Sequence, residues 1–159
     1  MADQLSHIDA GGNAVMVDIS DKADTTRIAI AKARVLMSAQ TAKLIADRGH
    51  KKGDVLGIAQ LAGIMGAKKT PDLIPLCHPL PLTSVTIDLE LADDIHGVDI
   101  TATCKTTGKT GVEMEALTAA SVAALTVFDM CKAVDKAMQI TDIRVTRKEG
   151  GKSGTFIAD

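Results

Sequence analysis

Cys77 and His78 stand side by side in a segment that holds all four prolines of the chain, Pro71 to Pro81. A histidine held in a proline-stiffened loop can bind a substrate or shuttle protons, and a histidine satisfied by backbone groups is the competing reading. Adjacent side chains rarely ligate one metal well, and no second ligand pair follows at suitable spacing, so no metal site is expected. Glu113 and Glu115 fall in the first turn of a predicted helix, where the helix dipole alone accounts for carboxylates. Asp129 and Lys132 share a face near the far end of that helix, just after a run without charge between Ala116 and Phe128. Ionisable groups beside such a run need partners and acquire shifted pKa values suited to acid–base work. A plain ion pair where the helix emerges explains the spacing equally well.

Phosphate chemistry has its own candidates. Thr103 to Thr110 ends in Gly-Lys-Thr between a predicted strand and a helix, where a Walker loop belongs. That motif needs Gly at its first position, and Thr103 stands there; in the second candidate, ending Gly151-Lys152-Ser153, Thr146 stands there and too few residues follow for a helix. Both fail. Gly108 to Gly111 remains a reasonable anion-binding helix start, with a Gly-rich turn as the alternative. The basic cluster His50-Lys51-Lys52 precedes Asp54, a good helix N-cap, and helix-start amides with ammonium groups favour a bound phosphate. A solvated lysine loop is the plainer reading.

The elements that must position these residues follow from periodicity. Residues 1–25 are polar and Gly-containing and read as an extended arm. Arg27 to Met37 alternates at strand period; Ser38 caps a helix to about Arg48. A second helix runs from Asp54 to Lys69 and stops at Thr70-Pro71, and its Gly57, Ala59, Ala62, Gly63 and Gly66 invite close packing. Val85 to Leu91 and Val98 to Cys104 alternate around Asp93-Asp94 and Gly97, which predicts a hairpin. The longest helical signal runs from Val112 to about Met138, a last strand from Ile140 to Arg147, and a Gly-rich tail over 150–159 is flexible by composition. The order strand, helices, strand, strand, helix, strand predicts an α+β, ferredoxin-like domain over 1–159, an antiparallel sheet with helices packed on one face.

Composition narrows the function classes. The 159 residues are 46% hydrophobic and 24% charged, with two Phe, no Trp or Tyr and a net charge of −2. Bases have no aromatic platform to stack on and polyanions no overall basic field, so no nucleic-acid partner is expected. The N-terminus lacks a signal peptide's pattern and no uncharged apolar run has bilayer length, so no membrane partner is expected. Cys77, Cys104 and Cys131 lie far apart without a CxxC pair, which suits free thiols in a reducing cytoplasm.

Taken together the stretches resemble the molybdenum cofactor biosynthesis protein C (MoaC) family. The resemblance rests on Met16-Val-Asp-Ile-Ser20, Asp72-Leu-Ile-Pro-Leu-Cys-His-Pro79, Thr107-Gly-Lys-Thr-Gly-Val-Glu-Met-Glu-Ala-Leu-Thr118 and Asp129-Met-Cys-Lys-Ala133, with Lys52-Gly-Asp-Val55 and Gly150-Gly-Lys-Ser-Gly154. Gln60 stands where the family often has Arg, and Phe128 where it has Tyr. The resemblance implies a lyase that takes 3′,8-cyclised dihydro-GTP to cyclic pyranopterin monophosphate and diphosphate. It also implies a ferredoxin-like fold and a hexamer, a trimer of dimers with sites between subunits.

The family's catalytic Asp falls on Asp129, and lysines matching Lys52 and Lys132 line the same site. Its substrate-contacting stretches fall on Leu76-Cys77-His78 and Met114-Glu115, with Glu113 beside them in the candidate set. Lys68, Arg27 and Lys152 are further candidates for the triphosphate. No resident cofactor is implied; magnesium riding on the triphosphate is compatible with the sequence and not indicated by it. From other classes, an oligomeric nucleotide sensor would bind the same ligand without releasing diphosphate, and a P-loop phosphotransferase is disfavoured by Thr103 and Thr146.

Overall fold

The computed structural model describes residues 5–48 and 54–158. Its elements are β1 (Thr25–Leu36), α1 (Ala39–Arg48), α2 (Val55–Leu73), β2 (Leu82–Leu91), β3 (Gly97–Gly108), α3 (Glu113–Cys131), β4 (Gln139–Glu149) and β5 (Phe156–Ile157). The strands form one antiparallel sheet in the order β2-β3-β1-β4-β5. Its first four strands have the expected ferredoxin-like arrangement.

Strand alternation puts all the small apolar side chains on one face. Ala29, Ala31, Ala33 and Val35 of β1 lie opposite Cys104, Ala102, Ile100 and Val98 of β3. All eight are buried. Lys32 and Arg34 point the other way, and Arg34 clamps Asp99 across the strands at 2.6 Å. Over the apolar face lies α3, whose Ala116, Ala119, Ala120, Ala123 and Ala124 are fully buried.

Alanine facing alanine brings helix and sheet close, and α2 closes on α3 just as tightly. A Cβ on Gly63 would sit 3.1 Å from the Ala119 carbonyl, and one on Gly66 would sit 2.8 Å from Cγ2 of Val122. Glycine is needed at both positions for this approach. Among the described residues, α3 alone has the length and hydropathy to cross a membrane, and it packs against α2, β1, β3 and β4.

Asp54 caps α2 as expected, accepting from the Leu56 amide at 3.0 Å. The helix does not stop at Thr70-Pro71. Pro71 has no N–H to give the Ala67 carbonyl, and the Thr70 hydroxyl supplies the missing donor at 2.9 Å. α2 therefore continues to Leu73. α3 is shorter than its composition suggests and ends at Cys131 rather than near Met138. The turn that follows delivers Asp135 to the start of α1. There its carboxylate accepts from the Ser38 amide at 2.9 Å and the Thr41 hydroxyl at 3.1 Å. These bonds, the first above all, hold its pKa below the usual range. Beyond β4 the chain turns on Gly150 and Gly151, both at positive φ, and returns as β5 beside β4.

Thr70→Val should leave the buried Ala67 carbonyl without a donor and lower unfolding stability by about 1–3 kcal/mol. Thr70→Ser, which keeps the hydroxyl, should lose only about 0.8 kcal/mol for its missing methyl. Urea denaturation of both variants measures the difference.

Candidate functional site

The irregular segment 74–81 leaves the end of α2 and crosses the start of α3 before entering β2. Its geometry is fixed at both ends: the Cys77 amide donates to the Ile74 carbonyl at 3.2 Å, and the Thr106 hydroxyl donates to the Pro81 carbonyl at 2.8 Å. Leu76, Cys77 and His78 are thereby held half-buried beside the first turn of α3. They line a cavity of about 640 Å³ together with Glu113 and Met114, and with His7 and Ala14 of the N-terminal arm. The arm is tied down by the site itself. A His78 ring nitrogen bonds the Val17 carbonyl at 2.8 Å, and Lys109 donates to the Ser20 carbonyl at 2.8 Å.

Glu115 lies beneath this wall at 2% exposure. Its Oε1 accepts from the Cys77 thiol at 3.7 Å, while Oε2 is buried without a partner among the described residues. Burial raises its pKa above the ordinary carboxylate value. Burial likewise pushes the Cys77 thiol to about 11 and Cys104 to about 12. Neither thiol is therefore an activated nucleophile. Cys77 is a neutral donor that braces the loop against Glu115.

A second cavity of about 620 Å³ shares Thr110, Gly111 and Glu113 with the first. Lys22, Arg27, Lys148 and Lys152 line it, four cations against the two carboxylates Asp21 and Glu113. Lys148 bonds Glu113 at 2.7 Å, and Arg27 donates through Nε to the Gly108 carbonyl at 3.3 Å. Gly151 passes so close to Arg27 that a Cβ there would run into the guanidinium. The residue before α3, Val112, gives the helix no side-chain cap, and this start lies at the shared wall. The Thr25 hydroxyl is buried at the same cavity, also without a partner among the described residues.

One chain therefore gathers Leu76, Cys77, His78, Glu113 and Met114 around one cavity, with Glu115 behind its wall. It does not bring Asp129 and Lys132 to them. Those two form an exposed ion pair of 2.7 Å at the other end of α3, and fourteen residues from Glu115 to Asp129 span about 21 Å of helix. Lys52, with the basic cluster around it, lies outside the described residues. Of the cations named for the triphosphate, Arg27 and Lys152 line the second cavity; Lys68 is exposed on α2 and lines neither.

Sequence patterns do not single out Lys22 or Lys148, and Lys109 enters only through the rejected Gly-Lys-Thr motif. Lys148 sits next to Arg147 on β4, and only its register beside Ala29 sets it apart. Gln60 donates to the Ile87 carbonyl at 2.9 Å, and Phe128 packs half-buried against the core. Among the described residues no three His, Cys, Asp or Glu side chains group in a way that could hold a metal ion.

A sequence model described as the MoaC family matches residues 16–151. A Rhodospirillum rubrum protein named cyclic pyranopterin monophosphate synthase is 63% identical over 157 residues, covering 99% of this chain and 95% of its own length. A protein of the same name from Dinoroseobacter shibae is 63% identical over 155 residues, covering 98% of each chain. One from Cereibacter sphaeroides is 59% identical over 154 residues, covering 97% of each.

The Glu115 carboxyl supplies a prediction about pH. Its folded pKa lies above the ordinary 4.5, so the folded chain holds this proton more tightly than the unfolded chain does. The resulting stability is fully present below the unfolded value and is lost as pH rises through the folded one. Glu115→Gln keeps the shape without the titration. In urea melts from about pH 4 to pH 8, the variant should gain stability relative to the parent as pH rises. Parallel pH curves would count against a buried, proton-retaining carboxyl.

Proposed function

The chain belongs to the MoaC family, and on that footing we propose that it is a cyclic pyranopterin monophosphate synthase of molybdenum cofactor biosynthesis. The reaction converts (8S)-3′,8-cyclo-7,8-dihydroguanosine 5′-triphosphate to cyclic pyranopterin monophosphate and diphosphate. The observation that carries this reading is the pair of adjacent cavities that share Thr110, Gly111 and Glu113. A substrate with a guanine-derived heterocycle at one end and three phosphates at the other needs a mostly apolar chamber with a few polar groups beside a cationic one. Leu76, Cys77, His78 and Met114 suit the heterocycle. Arg27, Lys22, Lys148 and Lys152 suit the phosphates, and the uncapped start of α3 lies at the junction.

In the phosphoryl step a ribose-derived hydroxyl attacks the α-phosphorus. The new P–O bond closes the cyclic phosphate, the bond to the bridging oxygen breaks, and diphosphate leaves with its charge held by the cations. The hydroxyl proton needs an acceptor, and rebuilding the purine ring into a pterin needs further transfers. Asp129 takes the acid–base role with its ion-pair partner Lys132, and Lys52 joins them as the further catalytic candidate named from the sequence. These steps call for no resident cofactor, and magnesium enters only as a companion of the triphosphate.

Because Asp129 stands about 21 Å along α3 from Glu115, this assignment requires a second copy of the chain. Large apolar side chains support assembly: Leu61 and Met65 of α2 are 64% and 65% exposed, and Leu125 of α3 is 58% exposed. The proposed assembly is a hexamer, a trimer of dimers with sites between subunits, working in the cytoplasm, where free cysteines such as these three persist.

Asp129→Asn should reduce diphosphate release from the cyclised nucleotide by about a hundredfold or more. Its thermal stability should hardly change, since exposed ion pairs contribute little. Normal turnover by a folded variant would end the assignment. Binding by the parent chain without diphosphate release would point to a sensor, and a monomer in native mass spectrometry would remove the shared site.

A further inference from the structure

His78 touches the N-terminal arm through an atom that only accepts. Its Nε2 lies 2.8 Å from the Val17 carbonyl oxygen, and a carbonyl has no hydrogen to give. The proton of this contact therefore sits on Nε2. In the neutral ring the lone pair is then left on Nδ1, which has no protein partner among the described residues although the ring lines the 640 Å³ cavity.

The arm is built to hold that carbonyl in place. The Asp18 carboxylate accepts from the Ser20 amide at 2.9 Å and from the Ser20 hydroxyl, closing a tight turn directly after Val17. The far side of the turn is anchored by Lys109, whose ammonium donates to the Ser20 carbonyl at 2.8 Å. The segment is thus held by one side chain from the proline-rich loop and one from the end of β3. The titratable groups around the ring are Asp18 with Lys109 beside it, His7 and Glu113 on the same cavity, and Glu115 behind Cys77.

We propose that Val17–Ser20 sets the tautomer of His78: the Val17 carbonyl fixes the proton on Nε2, so that Nδ1 is the acceptor offered to an N–H of the bound heterocycle. This rests on the proposed function, because a guanine-derived ring carries such N–H donors. Val17 and Asp18 are positioning residues in this scheme. They act on the substrate through the imidazole, and the arm becomes part of the recognition machinery rather than a cover.

Neutron diffraction from the full-length assembled protein tests the tautomer without using activity. The expected result is a deuteron on Nε2 and none on Nδ1; a deuteron on Nδ1, alone or with one on Nε2, overturns the proposal. Kinetics with the cyclised nucleotide test the consequence. An asparagine places its side-chain oxygen near the position of Nδ1, whereas a glutamine rebuilds only the Nε2 donor, so both variants should weaken binding and KM should rise about tenfold more in His78→Gln than in His78→Asn. The reverse order overturns the proposal.

Asp18→Ala should raise KM by about tenfold with kcat little changed, and Asp18→Asn, which can close the same turn, should restore it. If the asparagine variant behaves like the alanine one, the charge of Asp18 and not the turn is at work, and the proposal fails. A parent chain with no turnover would sink the proposed function while leaving the neutron result standing.

Discussion

The contact between α3 and the sheet sets where everything else can be. Five buried alanines of α3 lie over the alanine-rich face of β1 and β3, whose bulkier side chains are confined to Val35, Val98 and Ile100. Dispersion and apolar burial here depend on nearness rather than on side-chain bulk, because a core almost without aromatics has little area per residue to bury. α2 meets the same constraint with Gly63 and Gly66. The close approach presses the first turn of α3 under the segment 74–81, and that is why Glu115 is buried while Glu113, two residues earlier, reaches Lys148.

Two carboxylates in one helical turn thus meet opposite environments. Glu115 is desolvated, keeps its proton more readily and touches a thiol that is itself held neutral. Glu113 is paired to an ammonium at the junction of the two cavities. One serves the loop that carries Cys77 and His78, and the other competes with any anion for Lys148. An entering phosphate would have to displace Glu113 from that lysine or share it, which ties anion binding to the wall of the cavity lined by Cys77 and His78.

Most of the fold could be read from local patterns because local patterns caused it. The alternation in β1, the cap at Asp54 and the hairpin around Gly97 each depend on neighbours in sequence. The misses have distant causes. The stop of α3 is set by Asp135 reaching Ser38 and Thr41, 97 and 94 residues away, and nothing between Lys132 and Met138 announces it. Pro71 reads as a terminator until the Thr70 hydroxyl is seen taking over the lost bond. Of the site, the Cys77-His78 segment and the first turn of α3 were legible as motifs. Lys22 and Lys148 were not, because their meeting depends on how the arm and β4 are placed against the sheet.

The same rigidity that organises one end of α3 separates it from the other. A helix packed along its length cannot bend to carry Asp129 back to His78, and the 19-residue element has no proline or break at which to fold. If a carboxylate at that end acts on a substrate held at the first, the two ends must belong to different copies of the chain. The open apolar faces of α2 and α3, with Met130 and Val134 exposed beside Asp129, offer the surface for such a meeting. In this reading assembly is a condition of the chemistry: an isolated subunit would hold both chambers and lack the group that moves the proton.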